Sequence, residues 1–401
     1  MKVGSVRKVM LVAGDPSGDG HAARVVAALS RLAPKTRVFG MGGPRLAAAG
    51  MDVREDLTRE ALVGFVEVAK HLPQVFRRFR QCEEWLDRER PDLLVLVDYP
   101  GFNLRLAAKA AKRGIPVCYY IAPQVWAWHK DRLAAMRRDL KKLLVIFPFE
   151  QAWFRKEGID ATYVGHPLME TVSGIKKDAK KVRKELGLSE GAVPLVAILP
   201  GSRKSELKKI WPPLLKAARL MAAQQKDAVF LVPKPTFVSE EDYPGLLPTD
   251  PIVFVEGPAW ETRAICDVAW VKSGTSTVET ALLGTPQIVV YKVAAFSAFL
   301  AKRLLKLGHV GMVNLLSKKP TVPELLQEAF TPKALVAETE KLLEGPFARR
   351  DQLRQFAEIR KSLSKPSKPA ETAAREILKL LNGSGRRSAV GGQLKKQRSN
   401  N

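Results

Sequence analysis

Five apolar residues, Leu93–Val97, lead to Asp98 at the exit of what reads as a central strand. A carboxylate placed there can take a proton from a substrate hydroxyl, or it can cap the turn or helix that follows. The loop Ala13-Gly14-Asp15-Pro16-Ser17-Gly18-Asp19-Gly20 combines close backbone approach with a helix start that favours an anion. It lacks both the Lys-Ser/Thr end of a Walker A loop and the GxGxxG spacing, so a plain tight turn fits equally well. Residues 122–130 carry Trp126 and Trp128, indoles that stack on a sugar or pack in a core, followed by His129. In Leu199-Pro200-Gly201-Ser202-Arg203-Lys204-Ser205-Glu206, Gly201 allows close approach, Ser202 is a cap and donor, and Arg203 is a fork for phosphate oxygens. An ordinary strand-to-helix turn with a surface arginine has the same make-up. Lys272-Ser273-Gly274-Thr275-Ser276-Thr277-Val278-Glu279 offers hydroxyls and amides at another helix start. There Ser276 and Glu279 match the S-x-x-E capping box, while a functional Glu279 accepts both hydroxyls of a ribose.

Each of these loops follows a short β-branched run, and ligands in open α/β sheets bind outside the carboxyl ends of strands. Strands are predicted over residues 7–13, 36–39, 93–97, 116–121, 143–146 and 161–164, and again over 194–199, 228–232, 252–255, 268–271 and 286–291. Alternation with amphipathic segments predicts two doubly wound α/β halves with parallel sheets. The hinge is expected near residues 165–170, with residues 1–168 and 169–345 as the two domains. Helical periodicity resumes over 346–382, interrupted at Lys365-Pro366 and Lys368-Pro369. Residues 383–401 are basic, nearly free of large apolar groups, and expected to be disordered.

The 401 residues include 66 Lys+Arg against 41 Asp+Glu, a formal net charge of +25, with 46% hydrophobic and 27% charged residues. That is a globular composition with a field that favours nucleic acid, anionic membranes or phosphorylated substrates. No RNP, KH, zinc-finger or helix-turn-helix pattern is present, so nucleic acid is not expected as a partner. Cys82, Cys118 and Cys266 form no CxxC pair and read as reduced, buried thiols, with no metal site. The apolar stretch after Lys8 is too short for a signal peptide, and residues 114–128, interrupted by prolines, are too short to span a bilayer.

Taken together, the motifs resemble the lipid-A-disaccharide synthase family over about residues 10–343. The resemblance rests on AGDPSGD (13–19), GFVEV (64–68), VDYPGFN (97–103), APQVWAWHKDR (122–132), FPFEQAWF (147–154), VGHPL (164–168), LPGSRKSE (199–206), SGTSTVET (273–280), VNLL (313–316) and VPELLQ (322–327). It implies the GT-B fold, two Rossmann-like domains facing a cleft, with the last helical segment returning to the first domain. It also implies transfer of diacylglucosamine from UDP-2,3-diacylglucosamine to the 6-hydroxyl of 2,3-diacylglucosamine 1-phosphate, with inversion to a β-1,6 disaccharide and release of UDP. No metal or cofactor is implied. Another GT-B UDP-sugar enzyme, acting on a different lipid acceptor or as a UDP-sugar 2-epimerase, is the alternative.

Carried over by position, the resemblance makes Asp98 the general base and Arg203 the group that stabilises the departing diphosphate. It places Gly201, Ser202, Ser273, Gly274, Thr275, Ser276, Glu279, Asn314 and Gln327 on the UDP-sugar. Ser17, Gly18, Asp19, Trp126, Trp128 and His129 fall on the acceptor side, and His166 reads as structural. Asp15 stands where the family usually has Glu, and Ser317-Lys318-Lys319-Pro320 replaces an Ala-Gly-Arg type of segment. A cytoplasmic enzyme held peripherally at the inner membrane is expected; the apolar and basic stretch 62–80 reads equally as an interfacial element that meets acyl chains and anionic headgroups and as an amphipathic helix packing on the sheet, and a homodimer is left open.

Overall fold

The structure is a computed structural model that describes residues 6–57, 68–126, 130–188, 193–201, 204–234, 238–257, 259–292, 309–317 and 319–397. The chain forms two compact units, residues 1–167 with 363–401, and residues 168–362.

The sheet of the first unit contains β1 (Arg7–Ala13), β2 (Thr36–Gly42), β3 (Asp52–Asp56), β4 (Leu93–Val97), β5 (Val117–Tyr120), β6 (Lys142–Val145) and β7 (Ala161–Tyr163). All pairs are parallel, in the order β3-β2-β1-β4-β5-β6-β7. The unbroken apolar runs follow from burial on both faces. Met10 and Val12 join one core with Trp85, Leu86, Phe102 and Leu106. Val9, Leu11 and Ala13 join the other with Val25, Val26, Ala373, Ala374 and Ile377. Strand β3 was not legible in the sequence because Asp-Val-Arg-Glu-Asp is mostly charged, which a half-exposed edge strand tolerates.

The second unit repeats the scheme with β8 (Leu195–Leu199), β9 (Val229–Lys234), β10 (Ile252–Glu256), β11 (Val268–Lys272), β12 (Gln287–Tyr291) and β13 (Glu324–Leu326), also parallel, in the order β10-β9-β8-β11-β12-β13. In both sheets the strand order reverses direction at the first strand, between β1 and β4 and between β8 and β11. These are the topological switch points at which such sheets bind ligands.

Two features of the C-terminal region differ from the sequence reading. The helix Pro346–Leu363 lies almost wholly in the second unit, so the chain returns to the first only from Leu363, once the prolines at 366 and 369 have separated it from the helix Pro369–Gln397. That last helix packs Ala373, Ala374, Ile377 and Leu381 into the first unit and continues to Gln397. Its backbone is therefore helical over 383–397, where disorder was expected: the segment continues a helix already packed, in which each added residue contributes a hydrogen bond, against a cost of about 1 kcal/mol for each of its four glycines. Cys82, Cys118 and Cys266 are free and buried. Among the described residues no helix is long and apolar enough to cross a membrane.

Asp19, only 2% exposed, holds the loop after β2. Its carboxylate accepts from the amides of Gly43 (2.7 Å), Arg45 (3.1 Å) and Leu46 (3.2 Å) at the start of the helix Pro44–Ala48. Asp19→Ala strands these donors and is expected to lower the unfolding free energy by about 2 kcal/mol, measured by urea denaturation. An unchanged midpoint and slope would contradict this anchoring role.

Candidate active site

The switch point of the first unit brings together the loops that carry Asp15 and Asp98. Ala13 pairs with Val97, so the residues after each strand emerge side by side. A Cβ on Gly14 would lie 2.3 Å from Cδ1 of Tyr99, which is why glycine is needed where the Tyr99 ring covers the first loop. Asp15 caps the helix Pro16–Leu32, its Oδ1 accepting from the Gly18 amide at 2.7 Å. Gly18 allows this closure, since a Cβ there would sit 2.5 Å from that oxygen.

Asp98 and Tyr99 both have left-handed backbone, with φ of 47° and 49°. Non-glycine residues in this region cost about 1–2 kcal/mol each, so the surroundings must enforce it. Fully buried Asn103 does so by donating Nδ2 to the carbonyls of Val97 (3.2 Å) and Asp98 (2.7 Å). The Tyr119 hydroxyl donates to the same Asp98 carbonyl, and burial, reinforced by Asp98, raises the phenol's pKa and keeps it a donor. Tyr99, not Asp98, is the N-cap of the helix Pro100–Lys112, which removes the helix-capping alternative for Asp98. Burial, assisted by the Asp15 carboxylate and opposed by a bond from the Tyr99 amide, pushes the Asp98 carboxyl up to about 6. It is therefore mostly ionised at neutral pH yet poorly solvated, the condition of a usable base.

Other acceptor-side candidates are placed differently. Ser17 Oγ lies 3.3 Å from His21 Nε2 on the same helix, at the surface. Asp19 is spent on the anchoring bonds described above. Trp126 is half-buried against the core, edge-on to Phe149 at 5.1 Å, and its Nε1 donates to Glu150 Oε1 at 3.1 Å, so its indole is a loop anchor. Trp128 and His129 lie outside the described residues. Sequence reasoning passed over Glu150, 1% exposed, which also accepts from the Phe147 amide at 3.1 Å and is pushed up to about 7 by burial. His166 is buried against the Phe147 ring at 5.1 Å; burial, with His21 adding, pushes it down to about 3, so it is a neutral structural imidazole.

At the second switch point Leu199 pairs with Val271, which aligns the loop of Gly201 with that of Gly274. Both glycines have positive φ, 107° and 155°, open to backbone approach. Gly274 is the N-cap of the helix Thr275–Leu283 and supplies no side-chain cap, while Thr275 is exposed and Ser276 half-exposed at its first turn. The S-x-x-E capping box therefore does not form. Instead Glu279 pairs with buried Arg263, Nη1 to Oε2 at 3.1 Å, because a guanidinium only 3% exposed requires a carboxylate. Ser273 is buried, donating its hydroxyl to the Val310 carbonyl at 2.9 Å. Asn314 is also structural: Nδ2 donates to the Val322 carbonyl and to Glu324 Oε1, and Oδ1 accepts from the Thr321 and Val322 amides. Gln327 follows β13, half-buried, with φ of 52°. Ser202 and Arg203 lie outside the described residues.

Residues 9–378 match the family model described as Lipid-A-disaccharide synthetase. The chain belongs to the lipid-A-disaccharide synthase family. It is 39% identical over 376 residues to the lipid-A-disaccharide synthase of Syntrophus aciditrophicus (strain SB), covering 93% of this chain and 97% of that one. Like that family it is a glycosyltransferase, and its two parallel-sheet domains form the GT-B fold. A calicheamicin glycosyltransferase structure matches with a TM-score of 0.58 at 17% identity, over 94% of this chain and 99% of that one. The UDP-GlcNAc 2-epimerase of Neisseria meningitidis bound to UDP-GlcNAc matches with a TM-score of 0.55 at 12% identity, over 94% and 100%. In this lipid-A-disaccharide synthase family member, Asp15 has the short reach of an N-cap.

The raised pKa of Asp98 sets the sign of a stability effect. Between about pH 4 and 6 the unfolded chain releases this proton while the folded chain keeps it, so stability falls as pH rises through that window. Asp98→Asn is expected to raise Tm by about 2–4 °C at pH 8 but not at pH 4, while abolishing activity. An equal fall in Tm at both pH values would contradict this reading.

Proposed function

We propose that this chain transfers diacylglucosamine from UDP-2,3-diacylglucosamine to the 6-hydroxyl of 2,3-diacylglucosamine 1-phosphate. The observation that carries the assignment of roles is the half-buried Asp98 at the first switch point, held in left-handed backbone with its carboxyl pushed up to about 6. Its carboxylate takes the proton of the acceptor hydroxyl as that oxygen bonds to the anomeric carbon. The bond from that carbon to the diphosphate breaks on the opposite side, UDP leaves, and the configuration inverts. The proton then passes from Asp98 to solvent. Such a base is typically worth about 10²–10⁴ in rate.

On the second unit, the backbone at Gly201 and the open first turn after Gly274 suit a diphosphate, with Ser202 and Arg203 supplying hydroxyl and guanidinium. Glu279, steadied by Arg263, suits the ribose hydroxyls, and Gln327 and the exposed Thr275 and Ser276 suit the rest of the UDP-sugar. Bound structurally as they are, Asp19, Trp126, Ser273 and Asn314 act by shaping loops.

Both substrates are anionic and acylated, which supports peripheral attachment to the inner membrane from the cytoplasmic side. In the helix Val68–Glu89, Phe76 is 58% exposed beside Arg77 and Arg80, and each basic residue near an anionic surface contributes about 1 kcal/mol. Purified protein incubated with both acyl-sugars, without added metal, is expected to yield disaccharide and UDP by mass spectrometry. Full activity of Asp98→Ala, or release of a free UDP-sugar epimer without acceptor, would overturn the proposal.

A further inference from the structure

An ion pair lies between the two glycine loops of the second unit. Lys272, the last residue of β11, places Nζ 2.9 Å from Oε1 of Glu206, in the first turn of the helix Lys204–Gln224. Their side chains are 19% and 20% exposed, shielded enough for the charges to matter. The Glu206 carboxylate presses on the first loop: a Cβ on Gly201 would lie 2.5 Å from its Oε2. The ammonium abuts the second: a Cβ on Gly274 would lie 4.0 Å from Lys272 Nζ. On its far side the ammonium lies 5.9 Å from the centroid of the Tyr291 ring at the end of β12.

A carboxylate in the first turn of a helix complements the helix dipole, yet here it sits under a loop suited to an anion. Left uncompensated, it would repel a diphosphate at the same amides. We propose that Lys272 is a positioning residue for a nucleoside diphosphate: it neutralises Glu206 and ties the Gly201 and Gly274 loops together, so that their amides face the anion. This rests on the reading of these loops as the diphosphate site, and it gives Lys272 and Glu206 a role that neither residue had from sequence.

The test is calorimetric titration of wild type, Lys272→Met, Lys272→Arg and Lys272→Met/Glu206→Gln with UDP, uridine and inorganic pyrophosphate. Lys272→Met is expected to weaken UDP and pyrophosphate about tenfold and to leave uridine unchanged. Lys272→Arg keeps UDP affinity within about twofold, and the double variant recovers most of the loss because the negative charge beside the Gly201 loop is gone. Equal weakening of UDP and uridine, or a double variant as weak as the single one, overturns the inference. Wild type that binds pyrophosphate but not UDP, with Lys272→Met weakening it, sustains the inference and removes the uridine nucleotide. Wild type that binds neither overturns both.

Discussion

The carbonyl oxygen of Asp98 is the acceptor on which the first unit's chemistry turns. Two buried donors, Asn103 Nδ2 and the Tyr119 hydroxyl, converge on it and hold two successive residues in left-handed backbone that neither would adopt unaided. With the carbonyl fixed inward, the carboxyl is held in a poorly solvated position beside the Asp15 cap. The strand, the helix Pro100–Lys112 and the neighbouring β5 all supply parts of this constraint. A strained backbone enforced by its surroundings is the state in which a group is held ready for reaction.

The second unit solves a related problem with glycine instead of enforced strain. Gly201 and Gly274 adopt positive φ at little cost, and the Glu206 carboxylate of the Lys272–Glu206 pair sits where the missing Gly201 side chain leaves room. The two units thus share a sheet order and a switch point, while one orients a carboxylate and the other exposes amides. Proton abstraction and anion binding, the roles proposed for the two sets of loops, make opposite electrostatic demands and are assigned to separate residues of the same architecture.

Much of this was legible in the sequence because buried parallel strands are continuous apolar runs. Residues 7–13 and 93–97 matched their strands end to end, and most others agreed within a few residues. Strands β3 and β13 escaped, one for its charge and one because Glu-Leu-Leu holds no β-branched residue. Site loops were found from glycine and strand ends, whereas side-chain direction was not. Sequence position alone could not show that Asn314 and Asp19 turn inward as hydrogen-bond hubs, or that Glu279 reaches Arg263 and leaves the capping box unformed. Those outcomes depend on partners 7 to 27 residues away that only folding brings together.

The claim that a desolvated Asp98 is the base is tested most directly by the pH dependence of kcat/KM, which reports ionisations of the free enzyme. The rate is expected to fall below a limb near pH 6, set by burial and the Asp15 carboxylate, and Asp15→Asn is expected to move that limb to lower pH. A rate independent of pH between 5 and 8, or a limb that Asp15→Asn moves upward, would contradict the account.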